Sequence, residues 1–226
     1  MKKVLIAGSG RENSKDFYLK LSHNFDFIIG VDGGVEVLIK AGIKPDIAIG
    51  DFDSVSDLLY VESLEIKVLK FPVEKDKSDT ELAIDFAMEK GFDEFVMTGM
   101  LGRRTDHLLF NISLLVSLYK QGKECAIIEE HEEIRLLDSE KKVFQVRVGD
   151  IISLFPIDKI VYGVSTEGLK YELQNKDLFY GSTLPLSNVA LKNEISISIK
   201  KGTALVIIEY AKKMRDFGWT FLNTKV

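Results

Sequence analysis

Asp51 and Asp53 stand two residues apart in Gly50-Asp51-Phe52-Asp53-Ser54, directly after the apolar run Ile47 to Ile49. In an extended segment alternate side chains leave on one face, which would put both carboxylates within reach of one hard cation. Left alone, the pair would repel. A divalent ion relieves that repulsion, and Mg²⁺ characteristically takes one or two carboxylates and fills its shell with phosphate oxygens and water. The same five residues also suit a plain turn with an aspartate helix cap. Their company separates the two readings. Asp32-Gly33-Gly34 follows Phe27 to Val31, Lys75-Asp76-Lys77-Ser78-Asp79 follows Ile66 to Leu69, and Gly99 through His107 follows Phe95 to Thr98. Acidic loops leaving successive apolar runs favour a shared metal and phosphate site over a capped turn.

Phosphoryl transfer also needs positive charge at the bridging and leaving oxygens, and Lys75, Arg103 and Arg104 supply it. Gly33-Gly34 and Gly99 to Gly102 let backbone approach a ligand closely, and a helix N-terminus behind either would favour phosphate. Neither is a P-loop, because Gly-x-x-x-x-Gly-Lys-Ser/Thr occurs nowhere; Gly8-Ser9-Gly10 lacks the third glycine of a dinucleotide fingerprint. His107, beside Asp106, could orient a carboxylate or cap a helix. Three histidines and the single Cys125 exclude a cysteine or histidine metal cluster and an intramolecular disulfide; Cys125 reads as core filler.

The elements that must position these residues follow from hydrophobic pattern. Val4 to Ala7, Phe27 to Val31, Ile47 to Ile49, Ile66 to Leu69, Phe95 to Thr98 and Ala126 to Ile128 read as buried strands. Ser78 to Lys90 sets Leu82, Ala83, Phe86 and Ala87 at helical spacing, and Asp106 to Lys120 does the same with Leu109, Ile112, Leu115 and Val116. Alternating strands and helices predict an α/β domain with a Rossmann-like, mostly parallel sheet and flanking helices. Ligands of such sheets bind beyond the carboxyl ends of the strands, where the acidic loops fall.

After about Lys141 the runs shorten and alternate: Val143 to Val148, Ile151 to Phe155, Lys159 to Val164, Leu169 to Leu173, Glu194 to Ile199 and Ala204 to Glu209. Glycine turns separate them, which predicts an antiparallel β-sandwich or barrel. The expectation is therefore two domains, 1–140 and 141–226, joined near Asp138 to Lys142. With 46% hydrophobic and 29% charged residues the chain can bury a real core. Its net charge of −5 argues against broad nucleic-acid binding, and no apolar run is long enough to span a membrane, so a cytoplasmic protein is expected.

The ordered set Asp32-Gly33-Gly34, Pro45-Asp46, Gly50-Asp51-Phe52-Asp53-Ser54, Lys75-Asp76-x-x-Asp79 and Gly99-x-x-Gly102-x-Arg104-x-Asp106-His107 closely resembles the thiamine pyrophosphokinases. Gly168-Leu169-Lys170-Tyr171 and Leu186-Ser187-Asn188 are similar to that family's second-domain motifs, so the resemblance covers nearly the whole chain. It implies transfer of the β,γ-pyrophosphoryl group of ATP to the hydroxyethyl oxygen of thiamine, giving thiamine diphosphate and AMP. It implies a homodimer whose active site lies at the subunit interface. It further implies that Asp51, Asp53 and Asp79 hold Mg²⁺ and the triphosphate, supported by Asp32 and Asp76. Arg104 and Lys75 would grip phosphates, with Asp106 and Asn111 nearby. Ser187 and Asn188 would lie near thiamine or nucleotide, and Trp219 would stack on the thiamine rings. Two positions depart from the family pattern: Arg103 replaces a second glycine, and Val35-Glu36 replaces a small residue followed by asparagine. The same chemistry on another alcohol, such as a hydroxymethylpterin, and a non-catalytic nucleotide or thiamine sensor are the alternative readings.

Overall fold

A computed structural model of the chain describes residues 1–53, 55–102 and 104–211, which fall into two compact units divided between Glu130 and His131. The first unit runs β1 (Lys3–Ala7), α1 (Lys15–Ser22), β2 (Phe27–Val31), α2 (Gly34–Ala41), β3 (Ile47–Gly50), α3 (Leu58–Ser63), β4 (Lys67–Lys70), α4 (Asp79–Glu89), β5 (Glu94–Thr98), α5 (Thr105–Lys120) and β6 (Glu124–Ile128). Its strands lie in the order β6-β5-β1-β2-β3-β4 with every neighbouring pair parallel. Val4 to Ala7 are wholly buried, as a strand covered on both faces requires. The chain steps outward from β1 to β4 and then returns to β5 on the other side of β1, so strand order reverses between β1 and β5. The loops leaving those two strands frame the place where doubly wound sheets bind ligands.

Helices α1, α2 and α3 span eight, eight and six residues, too few turns for a hydrophobic period to stand out in the sequence. Helix α5 is present as predicted but seated differently. Of Leu109, Ile112, Leu115 and Val116, only Leu115 is fully covered, while Leu109 is 60% and Phe110 69% exposed. Asn111, Leu115 and Leu118 form the buried stripe instead, and the Asn111 side-chain amide donates to the Met100 carbonyl at 3.0 Å. A polar anchor at position 111 thus rotates the helix away from its most apolar face.

The second unit contains β7 (Glu132–Asp138), β8 (Lys141–Gln145), β9 (Ile151–Pro156), β10 (Ile160–Glu167), β11 (Lys176–Phe179), β12 (Asn188–Val189), β13 (Glu194–Ser198) and β14 (Thr203–Glu209). Strands β12-β9-β14-β7 lie side by side, β11-β10-β13-β8 form another sheet, and all these pairs are antiparallel. Strand β7 pairs with β14 from Asp138↔Thr203 to Glu132↔Glu209, so the second unit begins ahead of the join expected near Asp138 to Lys142. Leu169 to Leu173, expected as a strand, is a turn carrying a single bridge, Leu169↔Ala190. Backbone bonds at the bridge and one side chain organise it: the Lys170 amide donates to the Val189 carbonyl at 2.8 Å, and the Glu172 carboxylate accepts from the Gly168 amide at 2.8 Å. Among the described residues no helix is long and apolar enough to cross a membrane.

Candidate active site

Strand pairing places the first carboxylates. Val31 of β2 is in register with Ile49 of β3, and one residue on, the Asp32 amide donates to the Ile49 carbonyl at 2.9 Å. Asp32 therefore leaves β2 beside the start of the Asp51 loop. Asp32, Asp51 and Asp53 each offer a carboxylate oxygen, and these oxygens lie within 4.8 Å of one another. Three oxygen donors at that spacing, with no sulfur or nitrogen, fit a hard divalent cation such as Mg²⁺.

Asp51 and Asp53 do not converge as alternate residues of an extended strand. Phe52 between them is left-handed (φ 62°), and its ring is buried among Val35, Ala48, Val61 and Ile66. A non-glycine residue in that region is strained, and here the buried ring holds it. The Asp53 amide then turns back to donate to Asp51 Oδ1 at 3.2 Å. Phe52→Ala should lower unfolding free energy by about 3 kcal/mol in urea titration and weaken divalent-cation affinity by roughly tenfold. Wild-type values for both would show that the ring does not anchor the loop. From the other side, Glu36 accepts from the Ser56 amide at 2.6 Å, so this departure from the family pattern ties α2 to the loop's far end. That bond from the Ser56 hydroxyl and amide holds the Glu36 carboxyl below its ordinary value.

Lys75 Nζ lies 3.0 Å from Asp51 Oδ2 and 2.9 Å from Asp79 Oδ1, and all three side chains are largely covered. Its hydrogen bond is the main reason the Asp51 carboxyl sits below the usual carboxylate range. Burial works against the ammonium charge of Lys75, but its bonds to Asp79 and Asp51 outweigh burial and raise its pKa. Asp79, expected as a metal ligand, is thus joined to the acidic group through Lys75, and Asp32 takes the third place in the trio. Ser78 is the N-cap of α4, its hydroxyl accepting from the Glu81 amide at 3.2 Å, while Asp76 is exposed on the loop before it.

The glycines meet backbone rather than open space. A Cβ on Gly34 would sit 1.9 Å from the Ala7 carbonyl oxygen, so α2 closes against β1 only with glycine there. Gly99 is left-handed (φ 68°), and a Cβ on it would sit 2.2 Å from the Gly8 carbonyl oxygen. Gly33 caps α2. The amides of the second glycine loop, however, point inward. Those of Gly99, Met100 and Leu101 all donate to the carboxylate of Glu129, at 3.0, 2.9 and 3.2 Å. Three successive N–H groups form an anion-binding nest, and the protein fills it with its own carboxylate. Sequence reasoning missed Glu129, although it follows an apolar strand just as the other acidic loops do.

Arg104, Asp106 and His107 lie at the start of α5, all exposed. Arg104 grips Asp106 through two bonds of 3.2 and 2.6 Å, which hold the Asp106 carboxyl down at about 2. In the second unit, Asn188 clamps the Tyr171 backbone, its carbonyl oxygen accepting from the amide at 3.0 Å and its amide donating to the carbonyl at 2.7 Å. Ser187 is left-handed, and its amide donates to the Ser153 hydroxyl at 2.9 Å. The clamp borders a cavity of about 210 Å³ whose walls include Ile152, Leu154, Leu169, Tyr171, Pro185 and Asn188. Ser54, Arg103 and Trp219 lie outside the described residues.

Comparison with known proteins gives this geometry a context. The family description "Thiamin pyrophosphokinase, catalytic domain" matches residues 18–127, and "Thiamin pyrophosphokinase, vitamin B1 binding domain" matches 133–204. Thiamine pyrophosphokinase of Bacillus subtilis (strain 168) is 31% identical over 210 residues, covering 92% of this chain and 98% of that protein. Thiamin pyrophosphokinase 1 of Caenorhabditis elegans is 25% identical over 199 residues, covering 79% of this chain and 76% of its own. The crystal structure of the Bacillus subtilis enzyme superposes with a TM-score of 0.82 at 29% identity, over 93% of this chain and 100% of that one. Thiamin pyrophosphokinase from Candida albicans shares the fold at 17% identity, with a TM-score of 0.77 over 92% of this chain and 89% of that one. Two successive domain matches in the same order as the two structural units, and a relative matched along nearly its whole length, establish that the chain belongs to the thiamine pyrophosphokinase family.

Proposed function

We propose that this enzyme carries out its family's pyrophosphoryl transfer with ATP as donor and with Asp32, Asp51, Asp53, Lys75 and Asp79 as the reaction's charged centre. The observation that carries the reading is the carboxylate trio of Asp32, Asp51 and Asp53 joined through Lys75 to Asp79. The trio would hold Mg²⁺, which when bound supplies positive charge to the triphosphate oxygens. The hydroxyethyl oxygen of thiamine attacks the β-phosphorus of ATP, the bond from that phosphorus to the α,β-bridging oxygen breaks, and AMP leaves. The hydroxyl proton passes to a carboxylate of the site or to water. Such a loose transfer depends on positioning and electrostatics more than on a strong base, which suits an Asp51 carboxyl held below its ordinary range by Lys75. Lys75, a largely covered ammonium poised between two carboxylates, offsets charge developing on the leaving oxygen.

Arg104, released from its exposed pair with Asp106, would bind phosphate, and the mobility of exposed ion pairs makes that exchange inexpensive. Thiamine would occupy the 210 Å³ cavity of the second unit, its walls set by the Asn188 clamp on Tyr171. The active enzyme would be a homodimer with the site at the subunit interface.

The deciding measurement is AMP release from ATP with Mg²⁺, in the presence and absence of thiamine. Thiamine-dependent AMP is the expected result. AMP released equally without thiamine, no AMP at all, or release driven instead by a hydroxymethylpterin would each overturn the assignment.

A further inference from the structure

Glu129 follows β6, the neighbour of β5 in the sheet, and it is completely buried. Five groups donate to it. Met100 and Leu101 amides reach Oε1; the Gly99 amide at 3.0 Å, the Thr98 hydroxyl at 3.3 Å and the Asn13 side-chain amide at 2.5 Å reach Oε2. Burial pushes its carboxyl upward, and the hydrogen bonds pull the other way. Asn13 carries the connection onward. Its Oδ1 accepts from the Glu130 amide at 2.9 Å, and the Glu130 carboxylate accepts from the Ser14 amide and hydroxyl at 2.9 Å each, at the N-cap of α1. The loops leaving β1 and β5 are also bonded directly, through the Gly10 amide to the Gly99 carbonyl at 2.7 Å and the Gly8 amide to the Thr98 carbonyl at 2.8 Å.

This arrangement does more than satisfy a core. The Gly99–Gly102 loop leads straight into Arg104 and α5, and its amides are used from below by Glu129 while its Met100 carbonyl is used by Asn111. A loop bonded on both sides is fixed in place before any ligand arrives. We infer that Glu129 is a positioning residue for nucleotide binding: its carboxylate substitutes for an anion in the loop's amide nest, rigidifies Gly99 to Gly102, and so sets where Arg104 meets the triphosphate. This rests on the proposed binding of ATP phosphate by Arg104.

A carboxylate is required because all five partners are donors. Glutamine keeps the shape but turns one oxygen into an NH₂ facing donors, which unmakes two or three of the bonds at once. In Glu129→Gln, amide hydrogen exchange at Met100 and Leu101 should quicken by about 100-fold relative to wild type. Affinity for Mg·ATP, titrated by calorimetry without thiamine, should fall by about tenfold or more, while the KM for thiamine stays within about twofold. A merely structural role would move neither ligand or both alike. Should Glu129→Gln fail to fold, Asn13→Ala removes one donor, leaves the carboxylate in place, and should show the same nucleotide-selective loss at smaller size. Faster exchange with unchanged Mg·ATP affinity, or equal weakening of both substrates, overturns the inference. Wild-type AMP release in the same series keeps the two questions apart: its absence defeats the reaction assignment, and a normal wild type with an unselective variant defeats only the role of Glu129.

Discussion

Asp51→Asn should yield a folded protein whose turnover is lower by about a thousandfold or more, read as thiamine-dependent AMP release at saturating Mg²⁺. Asparagine preserves the oxygen that accepts from the Asp53 amide, so the loop keeps its turn around Phe52. What it removes is one full charge from the trio and one of the two carboxylate partners of Lys75. A neutral amide is a poor ligand for a hard cation, and the remaining carboxylates of Asp32 and Asp53 would have to hold it alone. Thermal unfolding of the variant should stay close to wild type, because Lys75 keeps Asp79 as its ion-pair partner and the loop keeps its turn. Activity within about tenfold of wild type at high Mg²⁺ would remove Asp51 from the metal site, however well the geometry suits it. The corresponding Asp79→Asn change should cost less, since Asp79 reaches the trio only through Lys75.

Why Asp32 rather than Asp79 completes the trio explains how far the sequence could be read. Each acidic loop was visible as an aspartate after an apolar run, and the parallel half of the fold followed from that alternation. That the loops share one end of the sheet was legible; which carboxylates meet was not, because that arises from strand adjacency: β2 lies beside β3, and the pairing continues one residue beyond β2 to Asp32. The left-handed turn at Phe52 was equally hidden, since an aromatic between two aspartates gives no local signal for a positive φ. Glu129-Glu130-His131-Glu132-Glu133 has the composition of a solvated charge run, whereas complete burial and three loop amides make the Glu129 carboxylate structural. Leu109 misled for the opposite reason. It sits at helical spacing with buried residues, yet Asn111 and its bond to Met100 decide which face of α5 turns inward. In the second unit the alternation was legible, but the expected strand Leu169 to Leu173 is a turn because Glu172 folds the segment back onto the Gly168 amide and Asn188 holds Tyr171 from 17 positions on, bonds that apolar alternation does not reveal.

Lys75→Met should separate metal binding from chemistry. The Lys75 ammonium lies 3.0 Å from Asp51 Oδ2, in direct contact with the trio. Opposite charges about 4 Å apart attract by roughly 4 kcal/mol at an effective dielectric of 20, so an incoming Mg²⁺ must compete with Lys75 for Asp51. Removing the ammonium removes the competitor. Mg²⁺ affinity measured without nucleotide should therefore tighten, by about tenfold once solvent screening is allowed for. Turnover should move the other way, falling about a hundredfold or more, because charge developing on the leaving oxygen loses a preorganised cation. Methionine fills the space of the lysine stem, so packing against α4 is preserved and Asp79 simply loses its partner. Arginine would not restore the rate, since a planar guanidinium cannot occupy the point between Asp51 and Asp79 that a compact ammonium fills. The decisive feature is the opposite direction of the two effects. If Mg²⁺ affinity and turnover fell together, Lys75 would be holding the loop's shape rather than supplying charge, and the mechanism would need another cation at the leaving oxygen.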